Sequence, residues 1–252
     1  MPVAPTDIVV YGSALMPDDD AGLNIGGAID LTTRISFVDI VATDQVEILS
    51  DNAGDITQTV TLFGRNAAGE LISDAVALNG TTIVLSALTF ERILKIVVDA
   101  AHAGNITVRD QGTDAEIALI ESGVLQIRRP FYGAAAEAAG GAGRSYYEKV
   151  FFKNNHATLS LTAAQILEQL DPSGLVAFDL ESTLDGSDTN GAGNNRQVAP
   201  ATYVFDSAAK AVANTQNHTA QAAQGVWLEL TLAAGAAAQN TSYTLRESGE
   251  TV

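Results

Sequence analysis

Between Thr57 and Val98 apolar and polar positions alternate with a period of two. Gln58, Val60 and Leu62 alternate with Thr57, Thr59, Thr61 and Phe63, which places the two sets on opposite faces of a half-buried strand. The polar connection Asn66-Ala67-Ala68-Gly69 follows, and Leu71–Leu78 alternates again. Asn79-Gly80 is a strong two-residue hairpin signal, with Thr81–Leu85 and Phe90–Val98 as further β-rich segments. This block predicts an antiparallel meander.

The same cadence extends in both directions. Asp7–Tyr11 predicts a short edge strand, and the Gly-rich stretch 12–27 a surface loop. Ala28–Val41 predicts a strand with Ile29, Leu31, Ile35, Phe37 and Ile40 in the core. Val46–Ser50, Ile106–Arg109, Glu116–Ile120 and Leu125–Tyr132 complete about ten short strands, with turns every eight to twelve residues. Gly133–Gly143 (GAAAEAAGGAG) is small and flexible and predicts a linker or long loop. Beyond it, Ser145–Lys153, Ala157–Leu161, Leu175–Leu180, Thr202–Phe205, Gly225–Leu232 and Ser242–Arg246 read as strands, with Asn214–Gln224 irregular between the last groups. Thr162–Leu170 reads as one or two helical turns with Thr162 as N-cap, closed by the turn Asp171-Pro172-Ser173-Gly174. The expectation is an all-β protein of two antiparallel β-sandwich domains, Ig-like or jelly-roll-like, with at most short helices. They would cover residues 1–132 and 145–252, joined by 133–144.

Charge narrows the function. The 252 residues carry 13 Lys and Arg against 30 Asp and Glu, a net charge of −17. Residues 1–132 hold 7 basic and 18 acidic side chains and residues 133–252 hold 6 and 12, so neither half offers a nucleic-acid arm. No polybasic membrane patch exists either. Cysteine is absent, which excludes disulfides, thiolate metal sites and cysteine nucleophiles. No run of 18 apolar residues predicts a membrane span.

Candidate chemistry is sparse. His102, His156 and His218 are isolated, without the spacing that places two imidazoles on one metal. No Gly-x-Ser-x-Gly elbow, phosphate-binding Gly-rich loop or dinucleotide fingerprint is present. Asp18-Asp19-Asp20 reads as a solvated loop tip. Asp185, Asp188 and Asn190 could contribute to a calcium site outside the EF-hand pattern, since the twelfth position of that pattern is Arg196. Glu181, Asp185 and Glu229 could supply a carboxylate pair, but thirty acidic residues make a chance pair expected. Neither an enzyme nor a cofactor is predicted. Trp227 lies in an alternating run and serves either a core or a sugar platform. Arg128, Arg129, Phe131, Tyr132, Tyr146 and Tyr147 flank the Ala/Gly segment and form a candidate partner interface, since Arg and Tyr are enriched at such sites. The alternative for the arginines is a strand end satisfied by local carboxylates.

Several stretches together resemble structural proteins of tailed-bacteriophage virions: residues 9–14 (VVYGSA), 26–30 (GGAID), 60–69, 78–82 (LNGTT), 147–155 (YEKVFFKNN), Asn195-Arg196 with Pro200, and 225–228 (GVWL). The resemblance implies a virion component without catalysis, made in the host cytoplasm and present in many copies, and it carries over no functional residue. With the acidic β architecture, it points to a head decoration protein on the outside of a capsid. Its partners would be the major capsid protein, other virion subunits or further copies of itself, with loops 12–27, 133–143 and 184–199 in lattice contact. The alternatives are a head–tail connector or tail protein, and a carbohydrate-binding β-sandwich module.

Overall fold

The computed structural model describes all residues except Met1, 17–20, Phe37, 238–241 and Val252. The Asp18-Asp19-Asp20 tip and the core expectation for Phe37 lie outside the described residues. Among the described residues the chain is all-β, with only short helical turns such as Pro5–Asp7. Its contacts divide it into two compact units, one of residues 1–30 and 131–252 and one of residues 31–130. The grouping therefore differs from a split at 132: the first thirty residues fold with the C-terminal half, and 133–144 lies within that unit.

The unit of residues 31–130 contains the predicted meander. The strands are β3 (Val46–Ser50), β4 (Thr59–Arg65), β5 (Leu71–Ala77), β6 (Val84–Leu85), β7 (Arg92–Val98), β8 (Ile106–Asp110), β9 (Glu116–Ile120) and β10 (Gln126–Arg128). β10, β7, β4 and β5 form one layer, and β6, β3, β8 and β9 the other. Alternation along β4 sends Val60 and Leu62 inward, as in β3 and β8, where Val46, Ile48, Ile106 and Val108 are fully buried. These meet Ile93, Ile96, Val98, Ile117 and Ile120 in one apolar core, the two-layer solution a half-buried sheet requires.

The β4–β5 hairpin forms at Asn66–Gly69 as expected, with Gly69 at φ +78°. Asn79-Gly80 differs. It makes a local turn, Thr82 N donating to Asn79 O at 3.0 Å, but the chain then leaves β5 and β6 pairs with β3 in the opposite layer. Gly80 alone of the two has positive φ, +57°, and a Cβ there would lie 2.8 Å from Ala53 O. The turn thus packs on the 51–55 corner instead of closing a hairpin.

That corner is held by Asp55. Its carboxylate accepts from Ser50 Oγ at 2.6 Å, Ala103 N at 2.9 Å and Gly104 N at 3.0 Å. Burial raises its pKa, but the three hydrogen bonds, with a contribution from nearby His102, hold it below the ordinary aspartate value. His102 sits beside it with Nδ1 2.7 Å from Gly104 O and Nε2 2.8 Å from Val124 O.

The other unit contains β1 (Ile8–Leu15), β11 (Arg144–Asn154), β12 (Leu161–Leu170), β13 (Val176–Leu184), β14 (Lys210–Ala211), β15 (Ala223–Leu232) and β16 (Thr244–Thr251). It also contains the start of β2 (Gly26–Arg34), which continues into the first-described unit, where its end pairs in parallel with β10. One sheet runs β13-β15-β11-β1-β2, and a smaller one β14-β12-β16. Several expectations fail, most of them in this unit. β1 is interior, between β11 and β2, and runs to Leu15, so part of the predicted 12–27 loop is strand. Leu31 is 51% exposed instead of buried. Ala157–Ser160 and Tyr203–Phe205 are irregular instead of strand.

A further one is Thr162–Leu170, which is strand β12 and no helix, paired with β16 and β14. Its helix-forming composition is overridden because Leu161, Ala164 and Ile166 bury against the unit. The pattern is broken by a register shift between Thr162 and Gln165, with Ala163 at φ +49°, a bulge that disguises the period of two.

Two outcomes follow. Gly80→Val should destabilise the protein by about 1–3 kcal/mol through strained φ and contact with Ala53, while Asn79→Val should cost much less, as read by denaturant unfolding. Because Asp55 has a lowered folded pKa, its contribution is present above the unfolded value of about 3.9 and lost as pH falls through the folded pKa. Asp55→Asn should therefore flatten the acid limb of the stability–pH curve.

Candidate functional site

The most concentrated chemistry of the described residues lies on β11, whose residues Tyr146 to Phe152 are all buried. A strand buried on both faces ordinarily reads as unbroken apolar sequence. Here the run YYEKVFF places Glu148 and Lys149 at its centre, and adjacent residues point to opposite faces. Each face therefore holds one buried charge.

On one face Lys149 meets Glu181 of β13. Nζ donates to Glu181 Oε1 at 2.5 Å, to Gly27 O at 2.7 Å and to Asp188 O at 3.1 Å. Both side chains are essentially inaccessible, 0% and 1%. Phe151 and Trp227 flank the ammonium, with ring centroids 4.7 and 5.8 Å away. Burial lowers the Lys149 pKa, opposed by Glu181, and raises that of Glu181, opposed by Lys149. β15 lies between β11 and β13, so the pair reaches across it. Gly225 makes this possible: a Cβ there would collide with the Glu181 carboxylate, and one at Gly186 would lie 2.6 Å from Oε2.

The same face is roofed by aromatics. Tyr203 tilts against Trp227 at 5.9 Å and Phe205 against Tyr147 at 5.3 Å. Tyr203 donates to Asp188 Oδ2 at 2.6 Å, and burial with that carboxylate raises its pKa. Tyr147 donates to Glu229 at 2.7 Å, and burial with Glu229 pushes it up to about 12. On the other face Glu148 accepts from Phe131 N at 2.9 Å and lies 3.9 Å from Arg196 Nη1. Arg196 stacks 4.8 Å from the Tyr146 ring centroid and its carbonyl accepts from Tyr147 N at 2.7 Å. The 184–199 segment, read from sequence as a polar loop, thus supplies a buried cation.

The predicted interface residues are separated by this arrangement. Arg128, Tyr146 and Tyr147 are 2%, 0% and 7% exposed; Arg129, Phe131 and Tyr132 are half-buried. The Tyr146 hydroxyl donates to Ala135 O at 2.6 Å, which holds the Ala/Gly segment against β11. Arg129 donates to Asp39 Oδ1 at 2.5 Å and to Ile93 O at 2.7 Å, the local-carboxylate arrangement.

Other candidates are each tied into structure. Asp185 accepts from Ala223 N at 2.9 Å, Asp188 from Tyr203, and Asn190 donates to Asn195 O and Val198 O, so the three calcium candidates are directed to separate partners. His218 is buried with Nδ1 2.6 Å from Glu247 Oε1, and His156 Nδ1 accepts from Thr158 N and Leu159 N. Among the described residues no group of three His, Cys, Asp or Glu could hold a metal, and no helix is long and apolar enough to cross a membrane. Comparison with known protein families, with curated proteins and with solved structures gives no match.

Sequence reasoning passed over Lys149, Glu148 and Arg196. The available signal was the adjacent charge pair inside an aromatic strand. Gly225→Ala should destabilise the protein by at least about 1–3 kcal/mol, the usual cost of overpacking, measured by chemical denaturation; an unchanged midpoint would contradict the crossing of β15 by Glu181.

Proposed function

We propose that this chain is a non-enzymatic structural protein of a virion, most simply a decoration protein that binds the outside of a capsid and stabilises it. The observation that carries the reading is where the acid surplus sits. Among the described residues the buried cations Arg128, Lys149 and Arg196 nearly balance the buried carboxylates Asp55, Asp110, Glu148 and Glu181. The net charge of −17 therefore belongs to the surface. A negative surface is repelled by packed nucleic acid and keeps many copies soluble beside one another. Interior charges held by one another or by backbone and hydroxyl donors suit a rigid element that acts through contacts, and repeated weak contacts over a lattice add up to strong retention.

A connector or tail position is the second structural reading. The carbohydrate-binding reading has less support, because Trp227, the single tryptophan, is fully buried and offers no stacking platform.

The test is an electron-microscopy reconstruction of particles from the virus that encodes the chain, with and without its gene. Density over the outer capsid faces, with earlier genome release on heating when it is missing, is the expected result. A ring at one vertex would favour the connector reading, and density lining the genome would overturn both. The purified chain should also leave duplex DNA unshifted at about 50 mM salt, where phosphate contacts are strong.

A further inference from the structure

Lys149 and Glu181 stand on strands that are not neighbours, yet their side chains meet over Gly225 at 2.5 Å with almost no exposure. The two carboxylate oxygens have different surroundings. Oε1 accepts from Lys149 Nζ and from Asp188 N at 2.8 Å. Oε2 is buried and has no hydrogen-bond partner among the described residues. An ion pair explains the first oxygen and leaves the second unaccounted for, since buried carboxylate oxygens are ordinarily hydrogen-bonded.

Burial shifts the lysine down and the glutamate up, so transfer of one proton yields an amine beside a carboxylic acid. Phe151 and Trp227 line the meeting point, and both side chains are closed off from solvent. Well-oriented groups in such a setting reach effective molarities on the order of 10⁵–10⁸ M, enough to drive a condensation that dilute amines and acids do not undergo.

We propose that Lys149 and Glu181 become joined by an isopeptide bond, formed by the folded chain on itself. The Nζ lone pair attacks Cδ of the protonated Glu181 side chain, and the C=O electron pair moves to Oε1. The Asp188 N–H is the donor placed to hold the resulting oxyanion. One Nζ proton passes to the Oε2 hydroxyl, the Cδ–Oε2 bond breaks, and water departs as the carbonyl re-forms. One C–N bond is made, one C–O bond is lost, one water is released, and no oxidant or reductant takes part. The oxygen without a partner is the one that leaves. The amide retains the Asp188 N–H bond at its carbonyl oxygen and one N–H directed to backbone carbonyls, and two buried ionisable groups disappear. Its effect is to tie β11 to β13 covalently across β15.

The experiment is intact-mass measurement of the purified, denatured full chain, followed by digestion and fragmentation of the peptides. The expected result is a mass one water below that of the sequence and a branched peptide joining Lys149 to Glu181. Lys149→Arg, which retains the cation but not the primary amine, should return the full mass. Glu181→Gln should give the same branched peptide with loss of ammonia. Recovery of Lys149 and Glu181 as separate, unmodified residues in the wild-type chain would overturn the proposal, and so would a branch from Lys149 to any other carboxyl, Asp188 included. Because the wild-type mass is read on denatured protein, a variant that fails to fold leaves the test intact.

Discussion

A lysine ammonium removed from water loses hydration that a protein interior restores only with close and well-directed partners. The unit built from residues 1–30 and 131–252 is arranged around that constraint. Lys149 needs a carboxylate, and the nearest one comes from two strands away. For Glu181 to arrive, the strand between must lack a side chain at one position, which is Gly225. Gly186 must be bare for the same reason, while Gly27 and Asp188 contribute carbonyls. Trp227, Phe151 and Tyr203 then close the volume. The aromatic roof, the two glycines and the course of the 184–199 segment are consequences of one buried charge.

The opposite face of β11 repeats the solution with other parts. Glu148 holds the Phe131 backbone, and Arg196 lies over Tyr146. Both faces therefore direct their polar groups to backbone and side chains within the same unit. Polar networks satisfied in this way rigidify the core that holds them. The proposed role in a shell rests on that rigidity together with an acidic exterior.

Local order was legible where one segment supplied its own evidence. The Asn66–Gly69 hairpin, Val46–Ser50, Glu116–Ile120 and the Asp171–Gly174 turn follow from alternation and turn chemistry over a few residues. What remained hidden depends on distant partners. β1 reads as an edge because nothing near Ile8 shows that Asn154 will pair with it. Thr162–Leu170 carries good helix formers, and only burial against the unit and pairing with Thr244–Thr251 make it a strand. Asn79-Gly80 has the composition of a hairpin, but the destination of β6 is decided by β3. The site was visible as two charges inside YYEKVFF, whereas their partners, Glu181 and Arg196, carry no mark in their own neighbourhoods.

Residues 31–130 form a unit from one continuous stretch of sequence, and the other unit is drawn from the two stretches that flank it in the chain. Synthesis proceeds from the amino end, so the unit of residues 31–130 has all its strands while the other still lacks most of its sheet. Val9 and Tyr11 must wait for Lys153 and Phe151, more than half the chain later. Maturation therefore follows chain order: the unit of residues 31–130 can form before residues 144–154 are made, and the other completes its sheet only after them, with the long-range pairing of β1 and β11 among its slowest steps.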